Sequence, residues 1–129
     1  MIFVDTSFLV AFAVDGDPHH AKAKKELPSI DEQKCISEDV VKETLTVVSQ
    51  RKGKPFCIEY FEGIGENYVM LPVNTERYQA GLNIFLDRKL QKNVSLIDCT
   101  SAAICHELGI KKILTFDDHF KLLGLKVVP

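Results

Sequence analysis

The stretch Met1-Ile2-Phe3-Val4-Asp5-Thr6-Ser7-Phe8-Leu9-Val10 constrains the fold more than any other, because it is an apolar run broken by a single carboxylate. A run this short that stops at Asp5-Thr6-Ser7 predicts a strand buried on both faces and followed at once by a helix start. Asp5 then stands at the carboxyl end of the strand, the edge outside which ligands gather in open parallel sheets. Two readings of Asp5 stay open at this stage: a cap for the next helix, which is the commoner use of such a residue, or an acid of a functional site.

The rest of the chain alternates between short apolar strands and helices. Phe8 to Val14 reads as an apolar helix, Asp15-Gly16-Asp17-Pro18 as a turn, and His20 to Leu27 as a polar helix ended by Pro28. Lys34-Cys35-Ile36 is a minimal strand, and Ser37 is placed to cap a helix beginning at Glu38. In that helix Val40, Val41, Thr44, Leu45, Val47 and Val48 make a core face with Glu43 on its flank. A carboxylate there either reaches to solvent, which periodicity alone favours, or points at something inside.

Phe56 to Ile64 supports another helix, with Gly65 as its stop. Tyr68 to Val73 reads as a strand, and Asn74 or Thr75 caps a helix with Tyr78, Leu82, Phe85 and Leu86 inward. Ser95-Leu96-Ile97-Asp98 has the form of a capping box opening a helix that runs to Leu108 and stops at Gly109. Capping alone is a complete explanation of Asp98. Ile110 to Thr115 is the next strand, followed by a turn with Asp117 and Asp118, and Leu125 to Val128 closes the chain as a short strand. Such alternation predicts one α/β domain over residues 1–129, a three-layer α/β/α sandwich around a mostly parallel sheet of four or five strands.

Composition removes several functional classes. No apolar run approaches the roughly 18–20 residues of a membrane span. The apolar start lacks a basic n-region and a small-residue cleavage site, so the expected location is the cytoplasm. Cys35, Cys57, Cys99 and Cys105 are scattered without CxxC pairing and read as buried thiols. His19, His20, His106 and His119 show no metal-ligand spacing, which argues against a histidine-built metal site. The net charge of −2 does not advertise nucleic-acid binding. A cluster of metal-binding acids would lower net charge while local lysines still met phosphates, and Lys22/Lys24/Lys25, Arg51/Lys52/Lys54, Arg88/Lys89/Lys92 and Lys111/Lys112 supply such groups. Each of these is in the first instance a solvated face.

The map places Asp5 and Asp117 at strand ends, Asp98 in the first turn of a helix and Glu43 on a helix flank. Strand ends and helix starts share one edge of a parallel sheet, so at least three of these acids can converge if their strands are neighbours. Carboxylates held together are relieved by raised pKa values or by a bound cation. Oxygen donors without His or Cys suit Mg²⁺ or Mn²⁺, ions that activate water and stabilise a phosphodiester displacement. A phospho-accepting receiver domain fits less well, since Asp5 stands alone after its strand and the mid-chain acid is Glu43 on a helix. A haloacid-dehalogenase-like phosphatase is disfavoured because Asp5-Thr6-Ser7 lacks an Asp-x-Asp pair.

Four motifs in order also resemble the PIN domain, and most closely its VapC-type ribonuclease toxins. They are Phe3-Val4-Asp5-Thr6-Ser7, Ser37-Glu38-Asp39-Val40-Val41-Lys42-Glu43, Leu96-Ile97-Asp98 through Ala102-Ala103, and Gly109 through Asp117. By position the resemblance implies that Asp5, Glu43, Asp98 and Asp117 are catalytic metal-binding acids, with Thr6 and Thr115 as supporting hydroxyls. It further implies Mg²⁺- or Mn²⁺-dependent cleavage of single-stranded RNA, a homodimer, and often a small antitoxin partner. An RNA-processing nuclease without an antitoxin and a non-catalytic RNA- or protein-binding module on the same fold are the alternatives. Asp118 stands where a basic or polar residue is more usual, and it reads as a turn cap rather than a metal ligand.

Overall fold

In the computed structural model, which describes all of residues 1–129, five parallel strands form one sheet in the order β3-β2-β1-β4-β5. The strands are β1 (Ile2–Val4), β2 (Lys34–Ser37), β3 (Val69–Leu71), β4 (Lys112–Leu114) and β5 (Lys126–Val128). The apolar start supplies the central strand: Phe3 lies opposite Cys35 on one side and Ile113 on the other, and Ile2, Phe3 and Val4 are fully buried. A strand with neighbours on both edges and helices over both faces has no polar side to offer, which is why β1 does not alternate.

Six helices complete the layers: α1 (Thr6–Ala13), α2 (His20–Glu26), α3 (Glu38–Lys52), α4 (Lys54–Asn67), α5 (Thr75–Phe85) and α6 (Leu96–Leu108). Short 3₁₀ turns follow at Leu27–Ser29, where Pro28 ends α2, and at Asp118–Lys121. Side-chain caps set most helix starts. Ser37 accepts from the Val40 N–H, Asn74 from Arg77, and Ser95 and Asp98 form the reciprocal capping box. Gly109 stops α6 in the left-handed conformation at φ 68°. All four cysteines are buried free thiols, and no helix is long and apolar enough to cross a membrane.

Two helices differ from their sequence pattern. α4 continues through Gly65 to Asn67, because Gly65 does not take the positive φ that stops a helix; the chain turns extended only at Tyr68. In α5 the residues expected inward, Tyr78, Phe85 and Leu86, are 48%, 37% and 66% exposed, while Leu82 is half-buried. The face toward α6 runs instead through Arg77, Gly81 and Ile84, one residue back, or about 100° around the helix. Close approach is the reason. A Cβ on Gly81 would lie 2.7 Å from the Cα and 2.9 Å from the N of Thr100 in α6. Arg77 adds a two-pronged contact to Glu107 at 2.8 and 3.1 Å and donates to the Pro72 carbonyl at 2.8 Å.

Gly81→Ala separates helix propensity from packing. Alanine favours an isolated helix by about 1 kcal/mol, but the clash with the Thr100 backbone is overpacking that costs roughly 1–3 kcal/mol. The expected outcome is a net loss of roughly 1 kcal/mol, read as a lower urea midpoint with an unchanged m value.

Candidate active site

The sheet carries Asp5 to the gap between its two middle strands. Beyond Val4 the Asp5 N–H donates to the Leu114 carbonyl at 3.0 Å, continuing the β1–β4 ladder by one step. Strand order reverses at this gap, since the chain builds β2 and β3 on one side of β1 and β4 and β5 on the other. Helices depart to opposite faces at such a reversal and leave a crevice outside the strand ends.

Asp5 caps α1 and is itself buried at this gap. Its Oδ2 accepts from the Ser7 N–H at 3.2 Å and lies 2.9 Å from each of the Ser7 and Thr115 hydroxyls. All of these contacts fall on Oδ2, and Oδ1 accepts none from the protein. The two hydroxyls are themselves 2.9 Å apart, and each has a single proton to give. Ser7 Oγ in turn accepts from the Phe116 N–H at 3.0 Å, and Thr115 Oγ1 from the Asp117 N–H at 3.1 Å. The loop after β4 is thereby fastened to the carboxylate at the end of β1.

Asp98 enters from the first turn of α6. Its Oδ2 closes the capping box by accepting from the Ser95 N–H at 3.0 Å. The same oxygen lies 2.9 Å from His119 Nε2, a contact at ion-pair distance whose N–H points off the hydrogen-bond line. The side chains of His119 and Asp98 are only 14% and 13% exposed. Asp117 caps no hydrogen bond with its side chain, and its carboxylate is half-buried beside the others.

The charges of Asp98 and Asp117 reach the buried Asp5. Burial pushes the Asp5 carboxyl from its ordinary 3.8 up to about 6, with Asp98 and then Asp117 adding to the rise while the Ser7 and Thr115 hydrogen bonds oppose it. Asp117 is also raised, first by burial and then by Asp98, against the opposing charges of His119 and His19.

The remaining candidates sit differently. Glu43 is half-buried on α3, and its side chain makes neither a hydrogen bond nor an ion pair. Thr115 holds Asp5, but the buried Thr6 hydroxyl has no partner, and Ser7 is the residue that bonds Asp5 from that side. Asp118 is exposed and pairs with Lys121 at 3.2 Å rather than capping the turn. Sequence reasoning missed Ser7 and His119. A hydroxyl two residues after a capping acid is a usable local signal for Ser7, whereas His119 meets Asp98 only through the tertiary fold.

The donor set suits a hard cation. Asp5 Oδ1, Asp98 Oδ1 and the Asp117 carboxylate are free of protein donors, and all are oxygens. No three acidic, imidazole or thiol side chains close into a cage around one point. Mg²⁺ and Mn²⁺ keep several waters and take one or two carboxylates at a time, so they do not require a closed cage.

The chain is similar to known proteins over nearly its whole length. The PIN-domain family profile matches residues 2–125. The chain is 30% identical over 128 residues to the 23S rRNA-specific endonuclease VapC20 of Mycobacterium tuberculosis, covering 96% of this chain and 95% of the relative. The crystal structure of M. tuberculosis VapC20, described as a sarcin-ricin loop cleaving toxin, superposes with a TM-score of 0.89 at 26% identity, over 98% of this chain and 97% of that one. VapBC2 from Rickettsia felis, bound to a DNA fragment from its promoter, shares the fold at a TM-score of 0.70 and 17% identity, over 99% and 98% of the two chains.

The raised pKa of Asp5 has a measurable sign. The folded protein holds this proton more tightly than the unfolded chain, so in metal-free buffer stability is lost as pH rises from 3.8 through about 6. The loss is on the order of 2–3 kcal/mol. Asp5→Asn removes it. In EDTA the variant is expected to melt near the wild-type temperature at pH 4 and clearly above it at pH 7, as followed by circular dichroism.

Proposed function

Because this chain belongs to the PIN-domain family, we propose that it is a divalent-metal-dependent endoribonuclease of the VapC type, the toxin of a toxin–antitoxin pair, acting on single-stranded RNA. The observation that carries the proposal is the convergence of Asp5, Asp98 and Asp117 at the reversal of strand order, with oxygens uncommitted to the protein. Full-length similarity to an rRNA endonuclease makes ribosomal RNA the first natural substrate to test.

Asp5, Asp98 and Asp117 would hold the ion, with Glu43 joining directly or through water. When bound, Mg²⁺ or Mn²⁺ supplies an activated water and neutralises charge on the phosphodiester under attack. The chain's own residues prepare the site for that role. Ser7 and Thr115 tie down Asp5 Oδ2, so that Oδ1 is the oxygen presented. The Ser95 N–H and His119 do the same for Asp98. Thr115 also holds the Asp117 N–H, which sets where the third carboxylate begins. Asp5 and Asp98 are thus held before any ligand arrives, which lessens the reorganisation left for the reaction itself.

A small antitoxin and a second copy of the chain are the partners this reading implies. Exposed Tyr78, Phe85 and Leu86 around α5, and Ile58 and Phe61 on α4, offer apolar surface for such partners. Four free thiols fit work in the reducing cytoplasm, where RNA is at hand.

Cleavage of a mixed single-stranded RNA pool and of ribosomal RNA, with Mg²⁺, Mn²⁺ or EDTA, tests the proposal. Cutting that requires the ion and falls at least about 100-fold in both Asp5→Asn and Asp98→Asn is the expected result. Asparagine still accepts a capping hydrogen bond, so α6 survives the second change. Full activity in both variants would overturn the assignment. Mn²⁺ should raise the melting temperature of the wild type and leave that of Asp5→Asn nearly unmoved.

A further inference from the structure

A stack of three rings stands beside the acids and has no part in holding them. Phe8, fully buried in α1, lies under Phe116 with ring centroids 5.4 Å apart and planes 13° from parallel. Phe116 is half-buried, and His19 lies on it at 4.3 Å and 8°. The stack runs from the core to the surface and ends on an exposed imidazole. His19 precedes α2 without capping it by a side-chain hydrogen bond, and its ring makes no hydrogen bond.

The position of the stack is what gives it meaning. Phe116 sits between Thr115, which bonds Asp5, and Asp117, and its own N–H is held by Ser7 Oγ at 3.0 Å. His19 is close enough to Asp117 for its charge to bear on that carboxylate. The backbone under the imidazole is also fixed, since the His19 N–H donates to Asp17 Oδ1 at 2.9 Å. A flat, pre-ordered ring at the lip of the crevice, supported from beneath by two phenyl rings, is the form of platform on which unpaired bases stack.

We propose that His19, seated on Phe116 and Phe8, is a base-stacking platform that holds an unpaired nucleobase of the RNA next to the phosphodiester presented to Asp5, Asp98 and Asp117. The inference rests on the endoribonuclease reading and adds to it a positioning residue for substrate. Imidazole lying flat offers a π face to any base, so the contact fixes where the strand lies more than which base occupies it. The net charge of −2 makes such a contact the more useful, since the chain as a whole does not attract RNA.

The test is a binding cycle in an Asp5→Asn background, which keeps the RNA uncut if the endoribonuclease reading is right. A short single-stranded RNA of mixed sequence is prepared with an abasic site at each position in turn, and the dissociation constants are measured with Mn²⁺ present. One abasic position is expected to weaken binding about 10-fold, within the range of single base–aromatic stacks. His19→Ala should weaken the intact RNA by a similar factor and erase the penalty at that one position. His19→Phe and His19→Trp should restore both, and His19→Lys, which keeps a positive charge without a ring, should not. Equal binding by His19→Ala, or rescue by lysine rather than by phenylalanine, would overturn the platform. RNA cut by Asp5→Asn itself would instead overturn the catalytic assignment, so the two failures are read separately.

Discussion

A carboxylate buried at the end of a central parallel strand must be compensated, and the compensation chosen for Asp5 orders much of what surrounds it. Leaving an ionised acid out of water is costly unless donors face it. Here the donors are the N–H and hydroxyl of Ser7 and the hydroxyl of Thr115, all on one oxygen. They lower the cost of the charge without removing it, and the carboxyl stays elevated to about 6. Because those same hydroxyls accept from Phe116 and Asp117, the solution for one acid sets the course of the loop carrying another. Structural and chemical demands are met by the same few atoms.

Asp98 repeats the logic with different parts. One of its oxygens is spent on the Ser95 N–H and the neighbouring His119, and the other accepts no hydrogen bond from the protein. A residue that caps a helix is held at a defined rotamer by the backbone it caps, which is a rigid mounting for a ligand. The opposition between capping residue and site residue, natural when one reads a chain letter by letter, dissolves at both aspartates.

The sheet, its parallel sense and most helix ends were legible because they depend on local chemistry. A short apolar run buried on two faces, Ser37, Asn74 and the Ser95–Asp98 box, and Gly109 past the end of α6 are signals carried within a few residues. What escaped was set at a distance. The face that α5 turns inward is decided by how closely Gly81 can approach Thr100, and a pattern that scores only apolar side chains cannot register a contact made through the absence of one. Gly65 was misread for a related reason: glycine permits a stop but does not compel it, and only the observed φ tells which occurred. At the site, Asp5, Asp98 and Asp117 could be placed on one edge from the strand and helix map, whereas the meeting of His119 with Asp98 and of His19 with Phe116 joins segments whose spacing carries no period.

Asp5 and the Thr115 hydroxyl that holds it are 110 positions apart along the chain. Closing a loop of that length comes late, since its entropy must be met before the contact returns anything. Until β4 has docked against β1, Asp5 has only the neighbouring Ser7 as a donor and lacks the burial that raises its pKa. The reactive arrangement therefore has no partly built version that is partly competent. Whatever cuts this chain anywhere between its two halves and lets them drift, or keeps the fourth strand from seating, disarms the whole crevice at once without touching a single one of its acids.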